Sequence, residues 1–404
     1  MAVDSFPVPP GLSHAARERN PVATVLAARA LAPEIMERSE EIETGRRLPA
    51  DLAQKFAEAG LFRIALPKAF DGDELHPADI VRVIEEVSRA DGSAGWCVMI
   101  GGTTAALAAL LPERWAREIY GANPNVITGG STPPTGKAVP VTGGHQVTGR
   151  WQWGSGTQNC QWICGSALIM DGDKPRKTVS GEPEVHLMMF SADQVEIIDT
   201  WNPSGLRGTG SHDFQVNNAF VPEGRSIILG GTAPVIKTPL YCFPYFGLLA
   251  VGVCSVALGI ARRAIDELKM LAIKKVPTWS QRPLAQRAMV QTHVAEAEAA
   301  LRSARAFVFD AIDDAWDVAV AGEKLSIEIR RDLRLAAVNA TFQSVKAVDL
   351  MYEAGGGSAI HASSPLQRCF RDIHVVTQHI MVNRSVYEQT GRLYLGEGPI
   401  SALF

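Results

Sequence analysis

Residues 143–156 read Gly143-Gly-His-Gln-Val-Thr-Gly-Arg-Trp-Gln-Trp-Gly-Ser-Gly156. The β-branched and aromatic residues are bounded by glycines, which is typical of a strand between two turns. Two tryptophans, Trp151 and Trp153, precede Ser155, which has a glycine on each side. Indole rings offer flat apolar surface, and an exposed hydroxyl in such a turn can hydrogen-bond to a ring heteroatom. The stretch therefore predicts either a ligand-facing turn or a Trp-rich core strand that ends in an ordinary turn.

Comparable short segments follow this stretch along the chain. They are rich in β-branched and aromatic residues, and clusters of Gly, Pro, Asn and Asp separate them, which is typical of antiparallel strands joined by turns. These segments are residues 162–170, 186–191 and 214–221. We therefore predict a central β domain over residues 123–232.

Helical periodicity frames this β region. Apolar residues recur every three or four positions between residues 21 and 120, and long Ala-rich segments occupy residues 289–316 and 327–352. This pattern predicts an N-terminal helical domain over residues 1–122 and a C-terminal four-helix bundle over residues 233–404. Helices, then strands, then long helices correspond to an α+β fold.

The composition excludes several function classes. Of the 404 residues, 46% are hydrophobic and 20% are charged, which is typical of a packed globular protein. The 39 basic and 43 acidic residues leave no broad positive field for a nucleic acid. The six cysteines form no CxxC pair, which favours a reduced, cytoplasmic chain over a disulfide-stapled one. The first 21 residues are Pro-rich and polar, so we expect no signal peptide there.

One uncharged stretch is long enough to be considered as a membrane span. Residues 241–261 contain no charge and number 21, close to the length that crosses a bilayer. Pro244, the interior glycines and the absence of a comparable second segment argue instead for a buried core helix. We therefore expect no membrane partner.

Two histidines lie close together near the C-terminus. His374 and His379 are five residues apart, and on a helix this spacing turns the side chains about 140° away from each other. One metal ion cannot bind both, so we predict no metal site. On a helix that begins near Pro365, His379 shares a face with Asp372 and is positioned to present an imidazole to a buried ligand. A core-packed or surface histidine is the alternative.

A glycine-rich turn follows a third tryptophan. Trp201 precedes the turn at residues 206–211, which includes Arg207 and offers several backbone N–H groups. Such a turn suits a planar ligand that carries phosphate. The pattern does not open a dinucleotide-binding unit, because strand-like residues follow it.

Three segments, in this order, resemble the acyl-CoA dehydrogenase superfamily of flavoproteins. The first is residues 143–156, and the second is Gly205-Leu-Arg-Gly-Thr-Gly-Ser211, which continues to Phe220-Val-Pro222. The third is the Gly355–Gly357 run with Pro365-Leu-Gln-Arg-Cys-Phe-Arg-Asp372. The resemblance spans nearly the whole chain and implies a helical N-terminal domain, a central β-barrel domain and a C-terminal four-helix bundle, assembled as a homotetramer.

Within that superfamily the chain is most similar to the two-component, group D flavin-dependent monooxygenases. This resemblance implies that Ser155 lies by flavin N5, that His379 lies by C4a, and that Trp201 packs near the isoalloxazine. The Gly355–Ser358 loop matches one that contacts flavin from a neighbouring subunit. The resemblance makes Ser155 and His379 the predicted catalytic residues. The predicted cofactor-binding residues are Trp153, Ser155, Trp201, Arg207, Gly356, Gly357, Ser358 and His379.

The same resemblance implies an activity. Reduced FMN, or reduced FAD, reacts with O₂ through a C4a-(hydro)peroxyflavin to hydroxylate an aromatic or polycyclic small molecule. His379 acts on a proton of the peroxide or of the substrate, a role that suits an imidazole whose own pKa is near neutrality. The chain carries no NAD(P)H fingerprint, so we expect a separate NAD(P)H-flavin reductase as a partner. An FAD-dependent, acyl-CoA dehydrogenase-like oxidoreductase is the main alternative, and a flavin-fold subunit without turnover is another.

Overall fold

A computed structural model describes residues 22–123 and 125–398 of the protein. The Pro-rich segment that argued against a signal peptide lies outside the described residues. The N-terminal part of the described chain is helical, as predicted. Its helices are α1 (Ala23–Glu37), α2 (Ser39–Gly45), α3 (Ala50–Glu58), α4 (Pro77–Ala90), α5 (Gly92–Ala105) and α6 (Glu113–Ala116).

A single residue, Asp91, separates α4 from α5. Its backbone is extended, with φ −155° and ψ 129°, and its carboxylate accepts a hydrogen bond from the Ala94 N–H at 3.0 Å. Asp is among the preferred residues at this capping position because its oxygen satisfies an otherwise free N–H of the first turn. Asp91 thus ends one helix and starts the next, which carries Trp96 into the interior.

The central part of the chain forms one eight-stranded sheet. The strands are β1 (Thr128–Val141), β2 (Gly144–Gly154), β3 (Trp162–Asp171), β4 (Lys174–Pro175), β5 (Val185–Ser191), β6 (Glu196–Ile198), β7 (His212–Pro222) and β8 (Ser226–Ile227). They pair in the order β6-β7-β2-β1-β3-β5-β8, with β4 on β3. Most neighbours are antiparallel, but β1 and β3 are parallel, which the prediction of purely antiparallel structure did not anticipate.

The two tryptophans at the end of β2 have different surroundings. Trp151 is fully buried, stacks on Phe214 at a centroid distance of 5.2 Å, and donates to the Ser166 carbonyl at 2.7 Å. Trp153, two residues on, is 61% exposed and has a φ of +63°. In a regular strand both side chains would face the same side. The positive φ and the shift in pairing between β2 and β7 after Trp151 separate them. The prediction of a core tryptophan is therefore confirmed for Trp151, whereas Trp153 lies on the surface.

The C-terminal part consists of long helices: α7 (Pro239–Cys242), α8 (Tyr245–Lys274), α9 (Ala288–Val320), α10 (Ile327–Gly355), α11 (Pro365–Val376) and α12 (Ser385–Tyr394). Two helical segments, Gly92–Leu110 and Tyr245–Lys274, are long and apolar enough to cross a membrane. The expectation of only one such segment was wrong. Within their most apolar windows, 89% and 83% of the residues are buried in the protein, which agrees with core helices.

One hydrophobic cluster connects all three parts of the chain. It includes Ile84 of α4, Trp151 of the sheet and Val256 of α8. The chosen boundaries, after residues 122 and 232, fall between the last N-terminal helix and β1 and between β8 and α7. The division of the chain into three domains at these residues stays a prediction.

Candidate active site

Ser155 lies in the turn that follows β2 and is buried, with only 6% of its surface exposed. The expectation of an exposed hydroxyl was wrong, because neighbouring residues cover the turn. Ser155 Oγ accepts a hydrogen bond from Trp96 Nε1 at 3.0 Å and forms another with Ser211 Oγ at 2.7 Å. A helix from the N-terminal part and two turns of the sheet region thus meet at this hydroxyl.

The Trp96 indole also contacts His379. The two ring centroids are 5.5 Å apart and the rings are nearly perpendicular, at 75°. An edge-to-face arrangement at this distance is favourable for two aromatic rings. Ser155 and His379, which the resemblance brought together, therefore both contact one indole. Sequence reasoning missed Trp96, because it begins an apolar Ala-rich segment and resembles an ordinary core residue.

His379 does not lie on a helix, contrary to the prediction. Helix α11 ends at Val376, and His379 lies in the turns that lead to α12. The Thr377 hydroxyl donates a hydrogen bond to the His374 carbonyl at 2.7 Å, at the end of the helix. The prediction that His379 shares a helix face with Asp372 was therefore wrong. His374, still on the helix, contacts Asp349 at 3.1 Å.

The His379 imidazole is neutral at physiological pH. Burial of the ring, helped by the positive charge of Arg334, lowers its pKa to about 4 from an ordinary value of 6.5. The expectation of a pKa near neutrality was wrong. His379 Nδ1 accepts a hydrogen bond from the Met381 N–H at 3.3 Å, which leaves the ring proton on Nε2. The ring can therefore donate one hydrogen bond, from Nε2.

The turn at residues 206–211 is anchored at its first residue. The Leu206 N–H donates to Asp372 Oδ1 at 2.6 Å, and the Leu206 carbonyl accepts from Trp201 Nε1 at 3.1 Å and from Thr209 Oγ1 at 2.9 Å. Burial, together with the nearby Asp91 carboxylate, raises the pKa of Asp372 to about 7. Trp201 thus lies at the turn where the sequence placed it, and it supports Leu206 from the side.

Arg207 is occupied by its own turn. Its guanidinium donates to Asn202 Oδ1 at 3.0 Å and to the Pro203 carbonyl at 3.2 Å, and it lies 3.9 Å from a carboxylate oxygen of Glu43. These contacts fix its side chain in front of the turn. Its role in binding the cofactor stays a prediction.

The loop at Gly356, Gly357 and Ser358 follows α10. Gly356 has a φ of +51°, which favours glycine, and a Cβ placed on either glycine would meet nothing within 4 Å. The two glycines are exposed and present open backbone. Their predicted contact with flavin bound to a neighbouring subunit stays a prediction, because it involves a second chain.

A small cavity lies between α5 and the turn after β2. Its volume is about 10 Å³, close to the space that one water molecule needs. Its lining includes Phe62, Cys97, Gly101 and Cys160, together with Ser155. Gly101 contributes only backbone to this lining. A Cβ at Gly101 would come within 2.4 Å of the Phe62 ring.

Comparisons with known proteins agree with these features. Two family models match the chain: "Acyl-CoA dehydrogenase, N-terminal domain" over residues 23–112 and "Acyl-CoA dehydrogenase, C-terminal domain" over residues 251–384. The indole-3-acetate monooxygenase of Pseudomonas putida is 34% identical over 363 residues, which cover 89% of this chain and 90% of that protein. The oxygenase component of the FADH₂-dependent resorcinol hydroxylase of Rhizobium sp. is 27% identical, with 89% and 91% covered.

A solved structure has the same arrangement of elements. The crystal structure of 3-HSA hydroxylase from Rhodococcus sp. RHA1 superposes with a TM-score of 0.87 at 26% sequence identity. The match covers 95% of this chain and 99% of that one. The helices, the central sheet and the C-terminal helical part thus follow one known architecture over nearly their full length.

Proposed function

Because the chain belongs to the flavin-dependent monooxygenase branch of the acyl-CoA dehydrogenase superfamily, we propose that it is the oxygenase component of a two-component system that hydroxylates an aromatic or polycyclic small molecule. One observation carries this proposal: Ser155 and His379, from distant parts of the chain, both contact Trp96. Bound reduced flavin supplies two electrons, so that one atom of O₂ enters a substrate C–H bond and the other leaves as water.

The residues present suit a reduced flavin. Its N5–H is a hydrogen-bond donor and needs an acceptor, and Ser155 Oγ spends only one lone pair on the Trp96 N–H. The Trp201 indole contacts the backbone of the turn at residues 206–211. Together they offer a flat ring and polar backbone groups to a ligand. Ser155 would hold N5–H, and this supports the catalytic role proposed for it.

His379 acts in this proposal as a neutral hydrogen-bond donor. With a pKa near 4, its imidazole does not carry a transferable positive charge at neutral pH. Its Nε2–H is available to an oxygen atom in the site because Nδ1 is engaged by Met381. Directed donors of this kind stabilise developing negative charge in a site that excludes water.

Part of the wall beside Ser155 is apolar, which suits an aromatic substrate. Phe62, Cys97 and Cys160 contribute side chains to the lining of the small cavity there, and Gly101 contributes backbone alone. Burial raises the pKa of both thiols well above its usual range, so they remain protonated and behave as small apolar groups. Apolar walls exclude water from the place where the oxygen atom is transferred.

A separate NAD(P)H-flavin reductase supplies the reduced flavin in this proposal, and reduced FMN is the form we propose, with reduced FAD as the competitor. A homotetramer is the proposed assembly. It has support from apolar side chains exposed on α8, on α9 and between them, which a second copy would cover: Met270, Ile273, Val276, Trp279 and Met289. The cytoplasm is the proposed location, because all six cysteines are free thiols.

An isotope experiment tests the proposed activity. Purified protein receives a generic flavin reductase, NADH, FMN or FAD, catalase and ¹⁸O₂, with a panel that includes indole-3-acetate and resorcinol. We expect a product with one ¹⁸O atom, and none from H₂¹⁸O. A protein that purifies yellow with tight FAD, gives no labelled product and is reduced by an acyl-CoA thioester would instead be a dehydrogenase.

A further inference from the structure

A chain of hydroxyl groups extends away from Ser155 into the protein. Ser155 Oγ lies 2.7 Å from Ser211 Oγ, which in turn lies 2.7 Å from Thr209 Oγ1. Thr209 Oγ1 then lies 2.9 Å from the Leu206 carbonyl oxygen. All three hydroxyl side chains are buried. Each hydroxyl has a single proton to donate, so the direction of the whole chain follows from its two ends.

The inner end fixes the first proton. A carbonyl oxygen accepts and never donates, so Thr209 must donate to Leu206. Its only proton is then used, and Ser211 must donate to Thr209. For the same reason Ser155 must donate to Ser211.

The outer end agrees with this direction. The indole N–H of Trp96 is a donor only, and it points at Ser155 Oγ. Ser155 therefore donates a hydrogen bond to Ser211, accepts one from Trp96 and keeps one free lone pair. The hydroxyl that faces the proposed site can accept a hydrogen bond, and it has none left to donate.

We propose that Thr209 and Ser211 are positioning residues that hold Ser155 as an acceptor and so make the site select reduced over oxidised flavin. This inference rests on the proposed function. Reduced flavin carries a proton on N5 and donates there, whereas N5 of oxidised flavin is a bare acceptor. The free lone pair of Ser155 can accept a hydrogen bond from N5–H of reduced flavin. With oxidised flavin it would face the lone pair of N5, which is unfavourable.

The selection depends on an anchor at the inner end of the chain of hydroxyls. The Leu206 carbonyl is held by Trp201 Nε1, and the Leu206 N–H is held by Asp372. These two contacts fix the carbonyl toward Thr209. Without the Thr209 hydroxyl, Ser211 loses its acceptor and is free to turn its proton toward Ser155. Ser155 can then donate to N5 of oxidised flavin.

The substitution Thr209→Val tests this directly, since it keeps the shape and removes the hydroxyl. Thr157→Val is the matched control, because Thr157 is equally buried, follows Ser155 by two residues and donates to the Gly154 carbonyl at 2.8 Å outside the chain of hydroxyls. Dissociation constants for oxidised and anaerobically reduced FMN are measured by fluorescence titration, after thermal unfolding shows that each variant is folded.

In the unmodified protein we expect tighter binding of reduced FMN. Thr209→Val should lower the dissociation constant of oxidised FMN divided by that of reduced FMN about tenfold. The main cause should be tighter binding of oxidised FMN, because Ser155 can then donate a hydrogen bond to its N5. Thr157→Val should keep the ratio. A ratio that is the same in all three proteins overturns the inference and leaves the oxygenase assignment intact. Failure of the unmodified protein to bind either flavin overturns both.

Discussion

Trp96 Nε1 donates a hydrogen bond to Ser155 Oγ over 3.0 Å, so the first turns of α5 are joined to the turn that ends β2. The same indole packs edge-to-face with the His379 ring. Asp91 starts α5 one turn earlier and thereby sets where Trp96 enters the interior. The relative position of the two predicted catalytic residues is therefore controlled by a residue of a third segment.

Replacing Trp96 by Phe keeps an aromatic ring and removes the N–H. A neutral hydrogen bond contributes about 0.5–1.5 kcal/mol net, so flavin binding should weaken by no more than about tenfold. The freed Ser155 hydroxyl is less well fixed, and we expect more H₂O₂ per NADH consumed and less oxygenated product. Peroxide is measured in the coupled reductase assay without catalase.

Trp316→Phe provides the control for this substitution. Trp316 lies on α9 and packs against His76 at a centroid distance of 4.4 Å, away from the Ser155 hydroxyl chain. It should leave the peroxide yield unchanged. Equal peroxide yields from the Trp96 and Trp316 variants would remove the Trp96 hydrogen bond from the account.

His379 predicts a specific dependence of stability on pH. Its pKa is about 4 in the folded protein and near 6.5 when unfolded, so between these values only the unfolded chain takes up the proton. Stability from this group is complete above pH 6.5 and is lost as the pH falls toward 4. His379→Gln should show a smaller loss of the free energy of unfolding between pH 7.5 and 5, measured by urea denaturation.

The same substitution should lower product formation at neutral pH by about 10²-fold, in the range for removing one group that acts on a proton or an oxygen in the reaction. The exposed His361→Gln is the control and should change neither quantity. A product yield per flavin oxidised that survives the loss of His379 would contradict its catalytic role.

Much of the fold follows from local pattern. The strand predicted around Trp151, the buried helix predicted within residues 241–261 and the long helix predicted over residues 327–352 each rest on such a pattern, and these predictions were confirmed. Strand β1 (Thr128–Val141) has no such signal. Its glycines and prolines resemble a loop, and its parallel pairing with β3 depends on contacts distant in sequence.

The site was only partly accessible from the sequence. The resemblance supplied Ser155 and His379, but periodicity extended α11 too far and so placed His379 on the wrong kind of element. Trp96 carried no distinguishing signal, because its polar contact, with Ser155, is 59 residues away. The lowered pKa of His379 is likewise a consequence of tertiary burial, which an isolated histidine does not reveal.

Asp372 predicts the opposite dependence on pH. Burial raises its pKa from 3.8 to about 7, so between these values the folded protein keeps a proton that the unfolded chain has released. Stability from this group is complete below pH 3.8 and is lost as the pH rises through 7. Asp372→Asn cannot ionise, yet its side-chain oxygen can still accept the Leu206 N–H.

We therefore expect the Asp372→Asn protein to be more stable than the unmodified one at pH 8, with little difference at pH 4.5. Urea unfolding at the two pH values measures this. Asp349→Asn is the control, because Asp349 is half-exposed and lies 3.1 Å from His374 Nε2. Loss of stability at pH 8 in the Asp372 variant would mean that its ionised form is needed.

Gly101 and Phe62 share one space beside the cavity. A Cβ at position 101 would lie 2.4 Å from Phe62 Cδ1 and 3.0 Å from Cε1, closer than real contacts permit. Gly101→Ala should therefore push the buried Phe62 ring and cost about 1–3 kcal/mol in the free energy of unfolding. Because the Phe62 ring lines the cavity beside Ser155, product formation should fall as well.

Phe62→Leu in the same chain should recover part of both losses, since the smaller side chain makes room for the methyl group. The coupling energy from this double-mutant cycle should be at least about 0.5 kcal/mol, as for residues in contact. Gly391→Ala on α12, where a Cβ would meet nothing within 4 Å, should be neutral or slightly stabilising. Additive effects of the Gly101 and Phe62 substitutions would mean that the two residues do not limit each other, and that the size of the cavity is set elsewhere.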